Sequence, residues 1–571
     1  MEPAAPPRNA PAAPEAGRPP LFVAAAALLL YFLRFGYDYG TSDQDEIIPF
    51  LMHRMDPGVF TQDWLVQIQV ADFSVRTFFV WLLHAFALFL PVWLAVLLLH
   101  VAAWLLVAGA VYALARHFTA DRLAAAAAVV LALVLTPMWT LGGNELVHSM
   151  LVPSTLAWGL ALWATYHFLR SRYIFAPVLL GVACWIQALV GLQVAGLLIL
   201  LRLVNIVRKE RGPFTVGSFV TFAGLFVLWS SPALGPILYQ QLTAPAIHTE
   251  GLPSLFYVLA EFRLPHHYLF FSFHTHSLVR FGALAVLGGG ALAVPALRAR
   301  LHDATFLVRV LAVIAALCAF AFVFTELVPV LFVAKLQLFK LTVLAKLLLL
   351  IVIAGAACAW LPAAVRRPFE ALFDHRHASL AAMLVVWAAV GFAVVRSGDG
   401  YLHELVRPWE RQTTDYGEVQ AWVRANTSHA AIFAVPPSDA SFRSATGRTI
   451  VVNYKAIPYQ DANLFVWFNR LTGLAPLSPL PERGSPELPA HLDEAFNRLT
   501  SAELWRLRAT YKFDYVVRSA PLDAPDGRFR EAFRKGEWYV YEALPEPGTD
   551  PGTDPEGEPG AAPSPEPEPD A

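Results

Sequence analysis

The sequence predicts an α-helical polytopic membrane protein of about eleven transmembrane helices followed by a C-terminal non-cytoplasmic α/β domain. Three observations lead there. Of 571 residues, 57% are hydrophobic and only 15% are charged, and the mean hydropathy is +0.50, far from soluble globular composition. Apolar runs of roughly 17 to 25 residues, enough to cross a hydrocarbon core of about 30 Å, recur up to residue 397. Lys and Arg collect in alternate short loops, as the positive-inside rule requires of a multi-pass chain.

Taken in order, "MEPAAPPRNAPAAPEAGRPP" (1–20) is Pro/Ala-rich and reads as a disordered cytoplasmic N-terminus. The apolar run after it lacks a small-residue cleavage site and reads as a retained first span. Spans are expected near 21–37, 90–115, 122–137, 150–168, 174–188, 190–206, 214–232, 278–297, 305–325, 341–361 and 378–396. "CWIQALVGLQVAGLL" reads either as two short helices meeting at Gly191 or as one long bent helix. Segment 73–89, "FSVRTFFVWLLHAFALF", is too interrupted for a span and fits an amphipathic helix at the interface.

With the N-terminus cytoplasmic, the inner loops "ARHFTADR", "FLRSRY", "VRKERGP", "LRARLHD" and "VRRPFEALFDHRH" are all basic. The outward loops are then 38–89, 138–149, 233–277 and 326–340, on the same side as everything after 397. From 398 to 545 charge density returns to soluble values. Helical spacing in "DYGEVQAWVRAN" and "HLDEAFNRLTSAELWRLRATY" alternates with β-rich "AIFAVPP", "RTIVVNY", "FDYVVRS" and "EWYVYEA", which indicates a small α/β layer. None of these strands is followed by a Gly-rich phosphate loop. The acidic Pro/Gly tail 546–571 reads as disordered.

Composition also excludes some functions. A net charge of −2 argues against nucleic acid. Cys184, Cys318 and Cys358 lie inside apolar runs and read as small core residues, without disulfide or metal roles.

Chemistry-bearing residues concentrate in the outward loops. In "YGTSDQDEIIPFLMHRMDPGVF", Asp43 and Asp45 are separated by one residue, a spacing at which two carboxylates can share Mg2+ or Mn2+, and Glu46 adds a third ligand or a general base. The plainer reading is that these acids only solvate the exit of the first span. "GGNELVHSM" supplies Glu145 and His148, three apart and on one face of any helix beginning there. "EFRLPHHYLFFSFHTH" offers Arg263, His266, His267 and Tyr268, the histidines serving as ligands, proton shuttles or packed side chains. In "VPVLFVAKLQLFKLTVLAK", Lys335, Gln337 and Lys340 stand beside an apolar run, where cations either neutralise a lipid-linked phosphate or snorkel to the interface. In the soluble domain Arg443, Arg448, Lys455, Asp461 and Arg470 either face that region or form a solvated surface; Tyr459, Trp467 and Phe468 either stack on sugars or pack in a core.

In plan, acids, histidines and cations at one face of a membrane bundle, with a soluble domain on that side, resemble the GT-C class of integral-membrane glycosyltransferases. The acidic motif of the first outward loop is matched by Asp43, Asp45 and Glu46, and the second-loop acid, more loosely, by Glu145. "TSDQDEIIPFLMHRMDP", "RLPHHYL" and "PPSDASFRSATGRTIVVNYKAIPY" also resemble a family of bacterial membrane proteins with this layout. The resemblance implies transfer of a sugar from a polyprenyl-phosphate donor, entering from the lipid bilayer, to an acceptor at the outer face of the bacterial inner (cytoplasmic) membrane. A carboxylate from Asp43, Asp45 or Glu46 would deprotonate the acceptor or hold a metal. Lys335, Lys340 or Arg263 would offset the departing phosphate. Two other classes remain open on the sequence: a transporter or lipid-translocating protein, and a non-catalytic scaffold on the same fold. The transporter is opposed by the lack of an internal repeat and the few ionisable residues deep in the spans.

Overall fold

The structure, a computed structural model, describes residues 21–207, 216–243, 253–374, 384, 414–522 and 527–544. The expected N-terminal and C-terminal disordered segments and almost all of the expected span 378–396 lie outside the described residues. The other ten expected spans each coincide with a helix: Leu21–Phe35, Val92–Thr119, Arg122–Val134, Pro153–Leu169, Phe175–Ile186, Ala188–Val207, Val216–Thr243, Thr275–Ala293, Ala304–Phe322 and Thr342–Trp360.

They are not ten equal spans. Among the described residues five helices are long and apolar enough to cross a membrane: Val92–Thr119, Val216–Thr243, Thr275–Ala293, Ala304–Leu327 and Leu331–Trp360. Arg122–Val134 has 13 residues and Phe175–Ile186 has 12. At about 1.5 Å per residue neither covers a core of about 30 Å. Local chemistry explains the shortness. Phe175–Ile186 stops where Gln187 turns extended, and the chain doubles back so closely that a Cβ on Gly191 would lie 2.5 Å from Cys184 Sγ. Two helices meeting near Gly191, one of the two expected arrangements, is therefore what forms.

The loop between the first span and Val92 is itself largely helical, with Gln44–Met55, Trp64–Ala71 and Thr77–Ala87. Asp63 starts the second of these by accepting the Val66 N–H. The third, within the segment expected to be amphipathic, buries Phe79, Val80 and Leu83 and exposes Trp81 and Phe86.

The C-terminal domain carries a five-stranded sheet of β1 (Ile432–Ala434), β2 (Thr449–Ile450), β3 (Tyr515–Arg518), β4 (Phe529–Lys535) and β5 (Trp538–Ala543), in the order β2-β1-β3-β5-β4. β1 is parallel to β2 and β3, and β5 is antiparallel to β3 and β4. Four of these strands fall in the predicted β-rich runs. β4, "FREAFRK", escapes because it is a charged edge strand without an apolar alternation. The helix predicted over 491–511 is two, Leu488–Arg498 and Ser501–Tyr511, because Thr500 and Glu503 form a capping box that begins a new helix.

This domain does not stand apart from the helices. One apolar core joins Phe262, Tyr268 and Ala334 of the preceding loops to Val452, Trp467 and Phe468. Polar ties reinforce it: Tyr257 Oη donates to the Pro481 carbonyl at 2.6 Å, Gly484 N to the Glu261 carbonyl at 2.7 Å, and Arg483 pairs with Glu326 at 2.9 Å.

Candidate active site

The three opening acids are separated by their surroundings. Asp45 is fully buried. Its Oδ1 accepts the Ser444 N–H at 3.1 Å, and its Oδ2 accepts from Asn453 Nδ2 at 3.0 Å and Arg443 Nη1 at 3.4 Å. Arg443 Nε also donates to Asp63 Oδ2 at 2.8 Å, so one guanidinium locks two buried carboxylates of the first loop to the soluble domain. Burial pushes the Asp45 carboxyl up to about 7, Arg443 working against it and Asp439 and Asp63 adding to it. Glu46 is buried as well, with Arg76 Nη2 at 3.2 Å and Gln69 Nε2 at 2.9 Å.

Asp43 differs from both. It sits at the N-terminus of Gln44–Met55 without using its side chain as a cap, and that side chain is 35% exposed. Lys455 Nζ of the soluble domain lies 2.9 Å from Asp43 Oδ1. Burial opposes ionisation here, but Lys455, Arg76 and His148 outweigh it and hold the carboxyl well below the usual range.

Around Asp43 the loops bring cations together. Arg76, besides holding Glu46, donates to Tyr459 Oη at 2.9 Å. Arg263 is buried, stacks over the Tyr454 ring at 4.3 Å, donates to the Lys455 carbonyl at 2.8 Å and leaves its Nε without a partner. Lys340 is 6% exposed and lies within electrostatic reach of Arg76 and Asp43; among the described residues its ammonium has neither an ion pair nor a hydrogen bond. Arg76, Arg263, Lys340 and Lys455 thus outnumber Asp43 and Glu46. Three of these cations, Arg76, Arg263 and Lys340, are buried, and buried positive charge in excess is costly unless an anion arrives to share it.

Histidines line the same region. Gly142 and Gly143, both in the left-handed backbone region, carry the second loop past them: a Cβ on Gly143 would lie 3.2 Å from His266 Cδ2. His267 Nδ1 donates to the Gly142 carbonyl at 2.6 Å. Burial, then Arg263 and Lys455, push His266 down to about 4; burial and His266 hold His267 well below its usual value. His148 is lowered by burial despite Asp43 and Glu145. At neutral pH these rings are uncharged and can accept as well as donate protons.

With that geometry in view, residues 414–474 match a domain family described only as a domain of unknown function, DUF6798, which covers far less than half of the chain. No curated protein matches. Among solved structures, the chain is similar to the crystal structure of ArnT from Cupriavidus metallidurans in the apo state, at 16% identity with a TM-score of 0.44, over 91% of this chain and 97% of that one.

The other residues singled out in the sequence lie at the edges of this cluster. Glu145 is buried and paired to Lys346 at 2.9 Å, its second oxygen accepting the Trp139 N–H at 3.2 Å, so it faces the bundle interior. Tyr268 Oη accepts from Gln337 Nε2 at 2.9 Å. Lys335 pairs with Asp461 at 2.5 Å and reaches Gln241 at 3.0 Å, and is thereby committed to docking the soluble domain. Arg448 serves the domain itself by donating to Thr427, whereas Arg470 reaches out of the domain to lie over the ring of Trp64 in the first outward loop at 4.9 Å. Trp467 and Phe468 are core residues, whereas Tyr459 is 46% exposed beside Arg76.

A divalent cation shared by Asp43 and Asp45 does not fit these surroundings. Both Asp45 oxygens already hold donors, and Asp43 faces an ammonium. Sequence reasoning passed over Arg76, Asp63 and Lys346. Arg76 and Lys346 were visible as lone charges inside apolar runs, a signal of function or of buried pairing. Asp63 was visible as an N-cap before "WLVQIQVA".

Proposed function

We propose that the protein is a GT-C-like glycosyltransferase that moves a sugar from a polyprenyl-phosphate donor to an acceptor at the outer face of the cytoplasmic membrane. The observation that carries this reading is the partly exposed Asp43 carboxylate set among Arg76, Arg263, Lys340 and Lys455, two of which, Arg263 and Lys340, have no carboxylate in contact among the described residues. A phosphate lowered among these cations would supply the missing negative charge. The donor's isoprenoid would stay in lipid, which suits cations held at the ends of apolar helices.

In this scheme the cations hold and neutralise the phosphate as it becomes the leaving group. Lys455 and Arg76 now stabilise ionised Asp43; once they turn to the phosphate, the Asp43 carboxylate becomes more basic, where an acceptor hydroxyl can give it a proton. The hydroxyl oxygen attacks the sugar carbon as the bond to phosphate oxygen breaks. A single displacement inverts the anomeric centre. His266 and His267, uncharged, can orient hydroxyls of the sugar or acceptor without adding charge. No metal enters these steps.

The test is transfer by the full-length protein reconstituted in liposomes containing polyprenyl-phosphate sugars, assayed with a panel of lipid and glycan acceptors. Asp43→Asn should lower transfer by about 10²- to 10⁴-fold, the range for a lost general base. Transfer undiminished in that variant would remove Asp43 from catalysis. Failure of the wild-type protein with every polyprenyl-phosphate sugar would remove the donor assignment.

A further inference from the structure

A second cluster of chemistry-bearing side chains lies far from Asp43, at the other end of the Val92–Thr119 helix. His117 sits in its last turn, about 25 Å along the axis at 1.5 Å per residue from His100, which bonds Tyr31 Oη at 2.8 Å, the same hydroxyl that donates to the His148 carbonyl near Asp43. His117 Nε2 is 2.9 Å from Asp303 Oδ2, and His302 Nε2 is 3.5 Å from the same oxygen. One ligand atom from each of the three residues lies within 4.8 Å of the others. Four ligands at about 2.0 Å around a tetrahedral zinc ion stand about 3.3 Å from one another, and the two observed separations bracket that figure.

Asp303 provides an independent indication. It occupies the N-cap position of the Ala304–Phe322 helix, where an aspartate normally accepts a backbone N–H of the first turn, yet it makes no such bond. Its backbone is left-handed, with φ +51°, a conformation that costs a non-glycine residue about 1 kcal/mol or more. The carboxylate is turned away from its helix and toward the two imidazoles. His302 is fixed there by its own backbone, whose N–H donates to the Phe118 carbonyl at 2.8 Å. The two rings lie 5.0 Å apart, nearly perpendicular at 74°. His117 is buried, while the side chains of His302 and Asp303 are 37% and 42% exposed, so one flank is open to water for a fourth ligand.

We propose that His117, His302 and Asp303 form a binding site for a divalent transition-metal ion, zinc by preference, that ties the end of the Val92–Thr119 helix to the turn before Ala304–Phe322. Two imidazoles and a carboxylate suit zinc and its neighbours and do not suit magnesium or calcium, which favour oxygen donors. The site is independent of the sugar-transfer reading and its ion takes no part in that chemistry. Its effect is to clamp two helices at the bundle end opposite Asp43.

The test uses full-length protein in detergent, freed of affinity tag and stripped with a chelator, titrated with Zn2+ by calorimetry and with Co2+ by visible absorption. The wild type should take up one equivalent and show the intense visible bands of tetrahedral cobalt. His302→Gln and Asp303→Asn should each weaken uptake at least about 10- to 100-fold, the loss that even outer partners of a metal cause. His302→Cys should keep binding zinc and add a thiolate-to-cobalt charge-transfer band in the near ultraviolet, a result that a merely misfolded variant cannot give. No stoichiometric uptake by the wild type would overturn the proposal, and so would wild-type affinity in both His302→Gln and Asp303→Asn. Either result would leave three side chains joined only by hydrogen bonds.

Discussion

Asp43 and Asp45 are two residues apart, yet they belong to two different kinds of place. Asp45 lies in a dry strut, every oxygen taken by a donor from the soluble domain and its Arg443 partner shared with Asp63. Asp43 stands at the rim of a cation cluster, reached by solvent and facing a single ammonium. The difference teaches that an acidic motif need not act as a unit. Here one acid fastens the domain over the helices, and the position of the other is the consequence.

The largest effect expected from breaking this pairing is on the strut. Arg443→Ala leaves two carboxylates buried without a counter-charge, which should cost about 3–5 kcal/mol and lower the thermal unfolding temperature of the detergent-solubilised protein sharply. Next comes Lys340→Met. It should weaken binding of polyprenyl phosphate by roughly 10- to 100-fold, the value of a hydrogen bond to a charged group. It should leave the unliganded protein as stable as before or more so, because it removes a buried cation that has no partner among the described residues. Equilibrium binding to labelled polyprenyl phosphate, paired with a thermal scan, reads both.

Asp45→Asn should cost about 1–3 kcal/mol, since its amide would turn a donor toward Asn453 or Arg443. It should also change the pH response. A carboxyl raised in the folded state to about 7 binds its proton more tightly folded than unfolded, so its contribution to stability falls as pH rises from the ordinary carboxylate range to about 7. Wild-type stability measured from pH 5 to pH 8 should carry that fall, and the Asn variant should show it flattened. The smallest effect belongs to Lys335→Met, which removes a partly exposed pair with Asp461 worth about 1 kcal/mol or less.

Much of this architecture can be read in the chain. Hydropathy locates the helices because burial in lipid demands long apolar runs, and β1, β2, β3 and β5 show as short apolar segments. The helices Gln44–Met55 and Trp64–Ala71 do not show, because they are buried by a domain that arrives some four hundred residues later and their own sequence is mixed. For the same reason the contrast between Asp43 and Asp45 is invisible: Ser444, Asn453 and Lys455 create it from afar. Lys346, a lone charge in "LTVLAKLLLLIV", was legible as needing a partner, and Glu145 is that partner. The tetrad of Arg76, Arg263, Lys340 and Lys455 comes from four separate segments, and only the folded chain shows that they share one neighbour.

The central claim, that Asp43 is the base and the cations around it hold the donor phosphate, is tested most directly by the single-turnover transfer rate of Asp43→Asn with polyprenyl-phosphate sugar at saturation. Removing the carboxylate takes a negative charge out of the cluster, so the donor should bind at least as tightly as before while the rate falls by about 10²- to 10⁴-fold. A rate equal to that of the wild type would contradict the account.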